Sequence, residues 1–453
     1  MANFDLIVLG LGPGGEELAQ KMGSAGRAVL GVESRLVGGE CPYFGCIPSK
    51  MIVRGADVLA ESRRVDKLAG HASDEPDFSQ VARRIREEAT DDWNDKVAVE
   101  RLLATGAQFA RGEGQLAGRD GDGRFVVAVG DTTYTAGAVC LATGTAPAIP
   151  RIDGLADLPR GVDEPVWTNR EILRSRVAPR SMVVIGGGAV GCELAQGMSR
   201  FGTAVTVVEG GPNLLLPEEP EARVVVESVF EREGIIVNRG AAVQSVARGG
   251  DGVIVTLSDG TTATGEKLLV AAGRRPNLSD IGLETIGLDR GARSLDVDEH
   301  MRVAGVEGLF AVGDITGRGA FTHVAVWQAR VLAAHLLGED EPYGGYHGLA
   351  WATFTDPEVG RVGMTEQQAQ DKGLHVRTGT QPLSSNSRGW IHGPGNDGFI
   401  KVVADADRGV LVGATVVGPY AGELLGILTL AVHAEVPLRA LRTMHYAFPT
   451  LHR

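Results

Sequence analysis

Two cysteines, Cys41 and Cys46, stand five residues apart in the run Gly38-Gly39-Glu40-Cys41-Pro42-Tyr43-Phe44-Gly45-Cys46-Ile47-Pro48-Ser49-Lys50. Thiols at that spacing can close a small loop, and thiolates can exchange disulfides through a mixed-disulfide intermediate. The pattern predicts a helix from about Ser49 to Arg63, with Pro48 suiting an early helical position. The helix dipole and Lys50 would lower the thiol pKa and favour a thiolate. A zinc half-site would need two more close-spaced Cys or His ligands, and none is evident, so no metal is expected. Cys140 and Cys192 lie in the apolar runs Ala138–Gly144 and Ala189–Ala195 and read as packing residues.

Such a pair needs an electron source, and two repeated segments point to one. The first is the strand-like run from Phe4, the glycines Gly10, Gly12, Gly14 and Gly15, a helical stretch, and a second strand ending at Glu33. The second is the run from Ser181, then Gly186, Gly188 and Gly191, a helical stretch, and a strand ending at Glu209. Each is the βαβ dinucleotide fingerprint. Its glycines permit a tight turn, backbone approach to a pyrophosphate, and close helix–strand packing. The terminal carboxylate accepts from a ribose hydroxyl. At Glu209 it would repel a 2′-phosphate, so NAD(H) is favoured over NADP(H). Two dinucleotide sites on one chain suggest FAD plus a nicotinamide.

Bulk properties narrow the alternatives. The chain has 453 residues, formal net charge −13 and 64 glycines, without the period of collagen. Its acidity argues against nucleic acid and anionic membrane as partners. No long apolar run predicts a membrane span. The N-terminus has no cationic segment or small-residue cleavage site, so a cytoplasmic protein is expected. Between the fingerprints come a charged, helix-prone stretch at about 50–105 and a β-like stretch at about 108–142. Short strands follow to about 272. A strand at Leu309–Asp314 precedes a helix from about Thr322. From about 345 the pattern is α+β, with strands near 350–363, 398–404 and 410–418 and a helix from about Gly422 to Glu435.

Here the chain resembles the FAD-dependent pyridine nucleotide–disulfide oxidoreductases, the family of dihydrolipoamide dehydrogenase, glutathione reductase and mercuric reductase. The resemblance rests on the cysteine run at 38–50 and Ala142-Thr143-Gly144-Thr145. It continues in Gly273-Arg274-Arg275-Pro276-Asn277, Phe310–Asp314 and Phe354-Thr355-Asp356-Pro357-Glu358. It implies an α/β fold with two Rossmann-like domains and a C-terminal α+β dimerisation domain. The FAD-binding domain would comprise 1–150 and 274–344, the NAD(P)-binding domain 151–273, and the interface domain 345–453. Cys46 would be the flavin-facing thiol and Cys41 the interchange thiol. Lys50 would lie near the flavin, paired with Glu193. The FAD site would draw on Gly10, Gly12, Gly14, Gly15, Glu33, Gly39, Lys50, Gly114, Thr143, Gly144, Asp314, Thr322 and His323. The NAD site would draw on Gly186, Gly188, Gly191, Glu209 and Gly273. A homodimer sharing its active sites is implied.

The chain departs from the family at its end, Met444-His445-Tyr446-Ala447-Phe448-Pro449-Thr450-Leu451-His452-Arg453. Phe448 falls where the family carries its acid–base histidine, and no glutamate follows. Loss of such a group costs about 10²–10⁴ in rate, which makes lipoamide and glutathione poor substrates unless His445, Tyr446 or His452 substitutes. Glu40 stands where threonine is usual. An acid there disfavours thiolate unless it turns to solvent. Pro42-Tyr43-Phe44 reads either as altered packing or as a pocket for a planar acceptor. Two activities stay open: reduction or oxidation of a disulfide or dithiol substrate, and NAD(P)H oxidation by a quinone or other small acceptor with peripheral cysteines. A non-enzymatic redox sensor or complex subunit is disfavoured by the intact second fingerprint.

Overall fold

The computed structural model describes residues 2–250, 252–339 and 343–453. It divides into two compact units. The first holds 1–48, 84–148 and 274–344; the second holds 49–83, 149–273 and 345–453.

The first unit is built on a seven-stranded sheet. Gln108–Arg111, Val29–Glu33, Ala2–Leu9 and Thr132–Leu141 run side by side in parallel. Thr132–Leu141 is long enough to take two partners on its other edge. Phe125–Val129 pairs antiparallel with its first half, and Leu309–Ala311 parallel with its second. Ile7, Val8 and Leu9 are fully enclosed, as a parallel strand covered on both faces requires. The helices Pro13–Ser24 and Thr322–Leu337 pack against each other beside this sheet.

Among the described residues the second unit contains three sheets. Ile236–Arg239, Ala204–Glu209, Ser181–Ile185, Lys267–Val270 and Val166–Trp167 form a parallel sheet. Val243–Gly249, Gly252–Leu257 and Thr262–Gly265 form an antiparallel one. The third runs Ala350–Thr353, Glu358–Gly363, Val410–Gly418, Phe399–Asp405, Val376–Pro382, all antiparallel. The helix Ala421–His433 lies on it through Ala421, Leu425, Ala431 and Val432. The edge strand Val376–Pro382 has no counterpart in the sequence reading. Its residues are polar and mostly exposed, so no hydrophobic alternation marks it.

Buried charges join the parts of this second unit. Arg200, 3% exposed, meets Asp57 at 2.8 Å, Glu233 at 2.6 Å and Asp356 at 2.8 Å. Two consecutive glutamates each meet a buried cation from the C-terminal sheet. Arg361 lies 3.0 Å from Glu218, and Lys401 lies 3.2 Å from Glu219. Removing one member of such a pair leaves the other charged and desolvated, at a cost of about 3–5 kcal/mol.

Candidate active site

The first cradle forms where the strand Ala2–Leu9 turns into the helix Pro13–Ser24. Gly10 has φ +91, and a Cβ there would meet Ala142 O at 2.5 Å. A Cβ on Gly15 would collide with Gly10 O, and one on Gly14 would stand 2.8 Å from Ala325 O. At Gly12 a Cβ would meet nothing within 4 Å, so open space faces the helix start. Gly39 closes in beside it, its Cβ position 2.7 Å from Gly12 Cα. Glu33 accepts from the amides of Leu11 at 2.9 Å and Arg35 at 2.8 Å. Thr143 Oγ1 is buried without a hydrogen-bond partner. Its carbonyl accepts from Asn277 Nδ2 at 2.8 Å. Asp314 accepts from Thr145 Oγ1 at 2.6 Å. A floor of free helix amides, a fixed carboxylate and an orphan hydroxyl fit a dinucleotide. Gly144 is open, with φ +60. At Gly114 a Cβ would stand 2.7 Å from Leu9 Cδ2.

The second cradle repeats the construction. Gly186 has φ +108, and Cβ atoms on Gly186 and Gly191 would run into Ala271 O and Gly186 O. Gly188, like Gly12, opens onto free space. Glu209 accepts from the Gly187 amide at 2.6 Å and the Gly211 amide at 2.7 Å. Gly187 occupies the place in this turn that Leu11 occupies in the first. The sequence showed both glutamates at strand tips but not that each ties down its own glycine turn. Gly273, with φ +104, has no neighbour within 4 Å of its Cβ position.

Cys41 lies on the short helix Glu40–Phe44. Cys46 is the first residue of the helix Cys46–Ser62, which begins three residues earlier than expected. The first turn of a helix has no internal use for its N–H groups, so Pro48 does not stop it there. Both cysteines are in the reduced, thiol form. Cys46 Sγ is 3.5 Å from the hydroxyl of Thr322, the first residue of the helix Thr322–Leu337. The neighbouring His323 is exposed and stacks on Phe321, ring centres 5.4 Å apart.

The expected lowering of the thiol pKa fails at Cys41. Its thiol is pushed far above the ordinary range, first by a hydrogen bond with Cys46 and then by burial, with Thr322 opposing. The helix starts at Cys46, so its dipole favours charge there and not at Cys41. Glu40 is neither free in solvent nor unopposed: Arg274 lies 3.6 Å away. Arg274 also donates to Thr145 Oγ1 at 2.6 Å, a link the sequence did not reveal. Tyr43 and Phe44 are 7% and 8% exposed and pack inward. Cys140 and Cys192 are fully buried.

Lys50 follows Cys46 by one helical turn. Its ammonium lies 2.7 Å from Glu193 Oε2 and 4.7 Å from the centre of the Phe354 ring. Glu193, 5% exposed, also accepts from the Phe354 amide at 2.8 Å. At the C-terminus Phe448 is 66% exposed, with the Arg453 guanidinium 4.9 Å from its ring. Tyr446 donates to Leu441 O at 2.9 Å, His452 lies 3.4 Å from Thr450 Oγ1, and His445 is exposed. Among the described residues no three His, Cys, Asp or Glu side chains gather to hold a metal, and no helix is long and apolar enough to cross a membrane.

Comparison with known proteins agrees with this geometry. Residues 4–329 match the pyridine nucleotide-disulphide oxidoreductase family model, and residues 349–453 match that family's dimerisation domain. The chain is 32% identical to dihydrolipoyl dehydrogenase of Halobacterium salinarum, over 99% of this chain and 94% of that one. It is 33% identical to dihydrolipoyl dehydrogenase of Thermus scotoductus, over 100% and 95%. The crystal structure of LpdA from Mycobacterium tuberculosis superposes with a TM-score of 0.86, at 28% identity, covering 100% of this chain and 97% of that one. Two glycine cradles, a cysteine pair and full-length similarity lead to one conclusion: the chain belongs to the FAD-dependent, NAD(P)H-oxidising pyridine nucleotide–disulphide oxidoreductase family.

Proposed function

We propose that this enzyme exchanges electrons between NADH and a small disulfide or dithiol through Cys41 and Cys46, and that the substrate thiol is more acidic than that of lipoamide or glutathione. The observation that carries the reading is the hydrogen-bonded Cys41–Cys46 thiol pair, with Cys46 against Thr322 at a helix start. FAD, when bound along Gly10–Gly15, Glu33, Gly39, Thr143, Gly144 and Asp314, supplies two-electron transfer between nicotinamide and disulfide. Gly186, Gly188, Gly191, Glu209 and Gly273 hold NADH. The Lys50 ammonium faces Glu193 Oε2 at 2.7 Å.

In the reducing direction Cys41 first loses its proton to solvent; its thiolate then attacks one sulfur of the substrate disulfide, and the other sulfur leaves as a thiolate. Cys46 then attacks Cys41, releasing the second substrate thiolate and closing the Cys41–Cys46 disulfide. Phe448 can protonate neither leaving group. A leaving thiol of low pKa departs without an acid, which is why an acidic thiol suits this chain. We place the boundaries of the FAD, NAD and interface domains at 1–150 with 274–344, 151–273 and 345–453, in a cytoplasmic homodimer.

A second reading is favoured by one feature, the exposed apolar ring of Phe448 where a proton carrier is expected. Here a quinone or similar acceptor takes electrons directly, and the cysteines are peripheral. Anaerobic titration with NADH separates the two. Long-wavelength charge-transfer absorbance after two electrons supports the thiol route, and flavin bleaching alone refutes it. Cys41→Ser should abolish disulfide turnover and leave ferricyanide reduction within about twofold; a quinone enzyme would keep its physiological activity in that variant.

A further inference from the structure

Behind the cysteine loop the backbone takes an unusual course. Ile85–Ala89 is a π-helical turn. Directly after it Asp91, Asp92 and Trp93 have φ of 47°, 53° and 58°. Three successive non-glycine residues in the left-handed region are costly, because each Cβ crowds the following carbonyl. The buried Thr90 holds the turn together. Its hydroxyl donates to Ile85 O at 3.0 Å and accepts from the Trp93 amide at 3.3 Å.

What the turn achieves is the placement of Trp93. The indole Nε1 donates to Tyr43 O at 3.2 Å. The indole ring stacks on Phe44, with centres 6.5 Å apart and planes 19° from parallel. Tyr43 and Phe44 are the last two residues of the helix Glu40–Phe44, which carries Cys41. A helix of five residues cannot hold its own shape, since nucleation is unfavourable and few of its bonds close internally. Just beyond the turn, Asp95 Oδ2 accepts from the Val37 amide at 2.7 Å and pairs with Arg111 at 2.6 Å. Residues 93–95 thus grip the chain on both sides of Gly38 and Gly39.

We propose that Trp93 is a positioning residue for the redox pair: the strained turn at 91–93 braces the Cys41 helix and sets how readily Cys41 reaches Cys46. This inference rests on the thiol reading above. Closing a disulfide depends on the effective concentration of one thiol at the other, and orientation can change that by orders of magnitude. Freeing the Cys41 helix lowers that concentration, weakens the disulfide and makes the pair more oxidising.

The test equilibrates the holoenzyme with dithiothreitol redox buffers, alkylates the free thiols and reads the disulfide fraction by mass. Trp93→Ala should lower the disulfide equilibrium constant about tenfold, or raise the midpoint by about 30 mV for this two-electron couple. Trp93→Phe keeps a ring against Phe44 and loses the hydrogen bond, so its midpoint should fall between those of wild type and Trp93→Ala. Thr90→Val unhooks the turn without touching the loop and should shift the midpoint the same way. If Trp93→Ala does not fold, Trp93→Phe and Thr90→Val decide. Disulfide equilibrium constants within twofold of wild type in the folded variants, or a strengthened disulfide, overturn the proposal. A wild-type pair that forms no disulfide in any buffer sinks the thiol reading instead.

Discussion

Replacing Glu209 by glutamine should erode the enzyme's preference for NADH. Both carboxylate oxygens are held by backbone amides, at 2.6 Å from Gly187 and 2.7 Å from Gly211, so the charge has a fixed place. A 2′-phosphate would bring a second negative charge to about 4 Å. At an effective dielectric of about 20 such a pair repels by about 4 kcal/mol. Physiological salt, with a Debye length of about 8 Å, leaves about half of that near the surface. The surviving 2 kcal/mol or so is a factor of about 30 in kcat/KM. Glu209→Gln removes the charge but keeps an acceptor for one of the two amides. The other amide loses its partner whichever nucleotide binds, and that cost cancels from the ratio. NADPH should therefore gain about 30-fold in kcat/KM. NADH should lose about fivefold, as a charged acceptor for its ribose becomes neutral. The assay is steady-state reduction of ferricyanide at fixed enzyme with each nucleotide, which needs no knowledge of the physiological acceptor. A wild-type enzyme that prefers NADPH, or an unchanged NADH/NADPH ratio in Glu209→Gln, refutes the reasoning.

Three further outcomes follow from the described contacts. Arg200→Met leaves Asp57 and Glu233 without their guanidinium, while Asp356 keeps Arg64 at 2.6 Å, and should lower unfolding free energy by about 3 kcal/mol in urea; a loss below about 1 kcal/mol would mean the cluster is solvated. The Asp57 carboxyl is pushed up to about 6, chiefly by burial and against the pull of Arg200. The folded state then binds more protons than the unfolded one from about pH 4 to about pH 6, so this group's contribution to stability falls as pH rises through that window. Asp57→Asn should gain on wild type by about 1 kcal/mol between those limits, the figure being discounted for a side chain 38% exposed. Parallel stability curves for the two proteins would count against it. Phe448→His should raise turnover of dihydrolipoamide at least about tenfold, with a new pH dependence near neutrality, if the thiol chemistry lacks only a proton carrier.

The sequence displayed what local chemistry compels. Glycines at 10, 12 and 15 and again at 186, 188 and 191 can be recognised because a side chain at those points would clash or fill a ligand's place. Cys41 and Cys46 were legible from spacing alone. The state of the Cys41 thiol was not, because it depends on a hydrogen bond to the Cys46 sulfur and on burial, neither of which is written in the neighbouring residues. The role of Glu40 depended on Arg274, 234 positions away in the chain. The helix start at Cys46 was misjudged by three residues, since proline suits any position in a first turn. Nothing in Asp91-Asp92-Trp93 announces a left-handed turn; tertiary packing of the indole imposes it. The strand Val376–Pro382 escaped because an edge strand with polar side chains carries no periodic signal.

The pairing of Glu218 and Glu219 with Arg361 and Lys401 bears on how relatives of this enzyme can be recombined. The acids lie at 218 and 219 and the cations in the C-terminal sheet, so neither segment is chemically complete by itself. A chimera taking residues 345–453 from a donor without those cations would inherit two enclosed carboxylates and nothing to oppose them. Crossovers that respect this chain's chemistry must carry the four side chains as a set, and swaps at residue 345 alone should give insoluble hybrids.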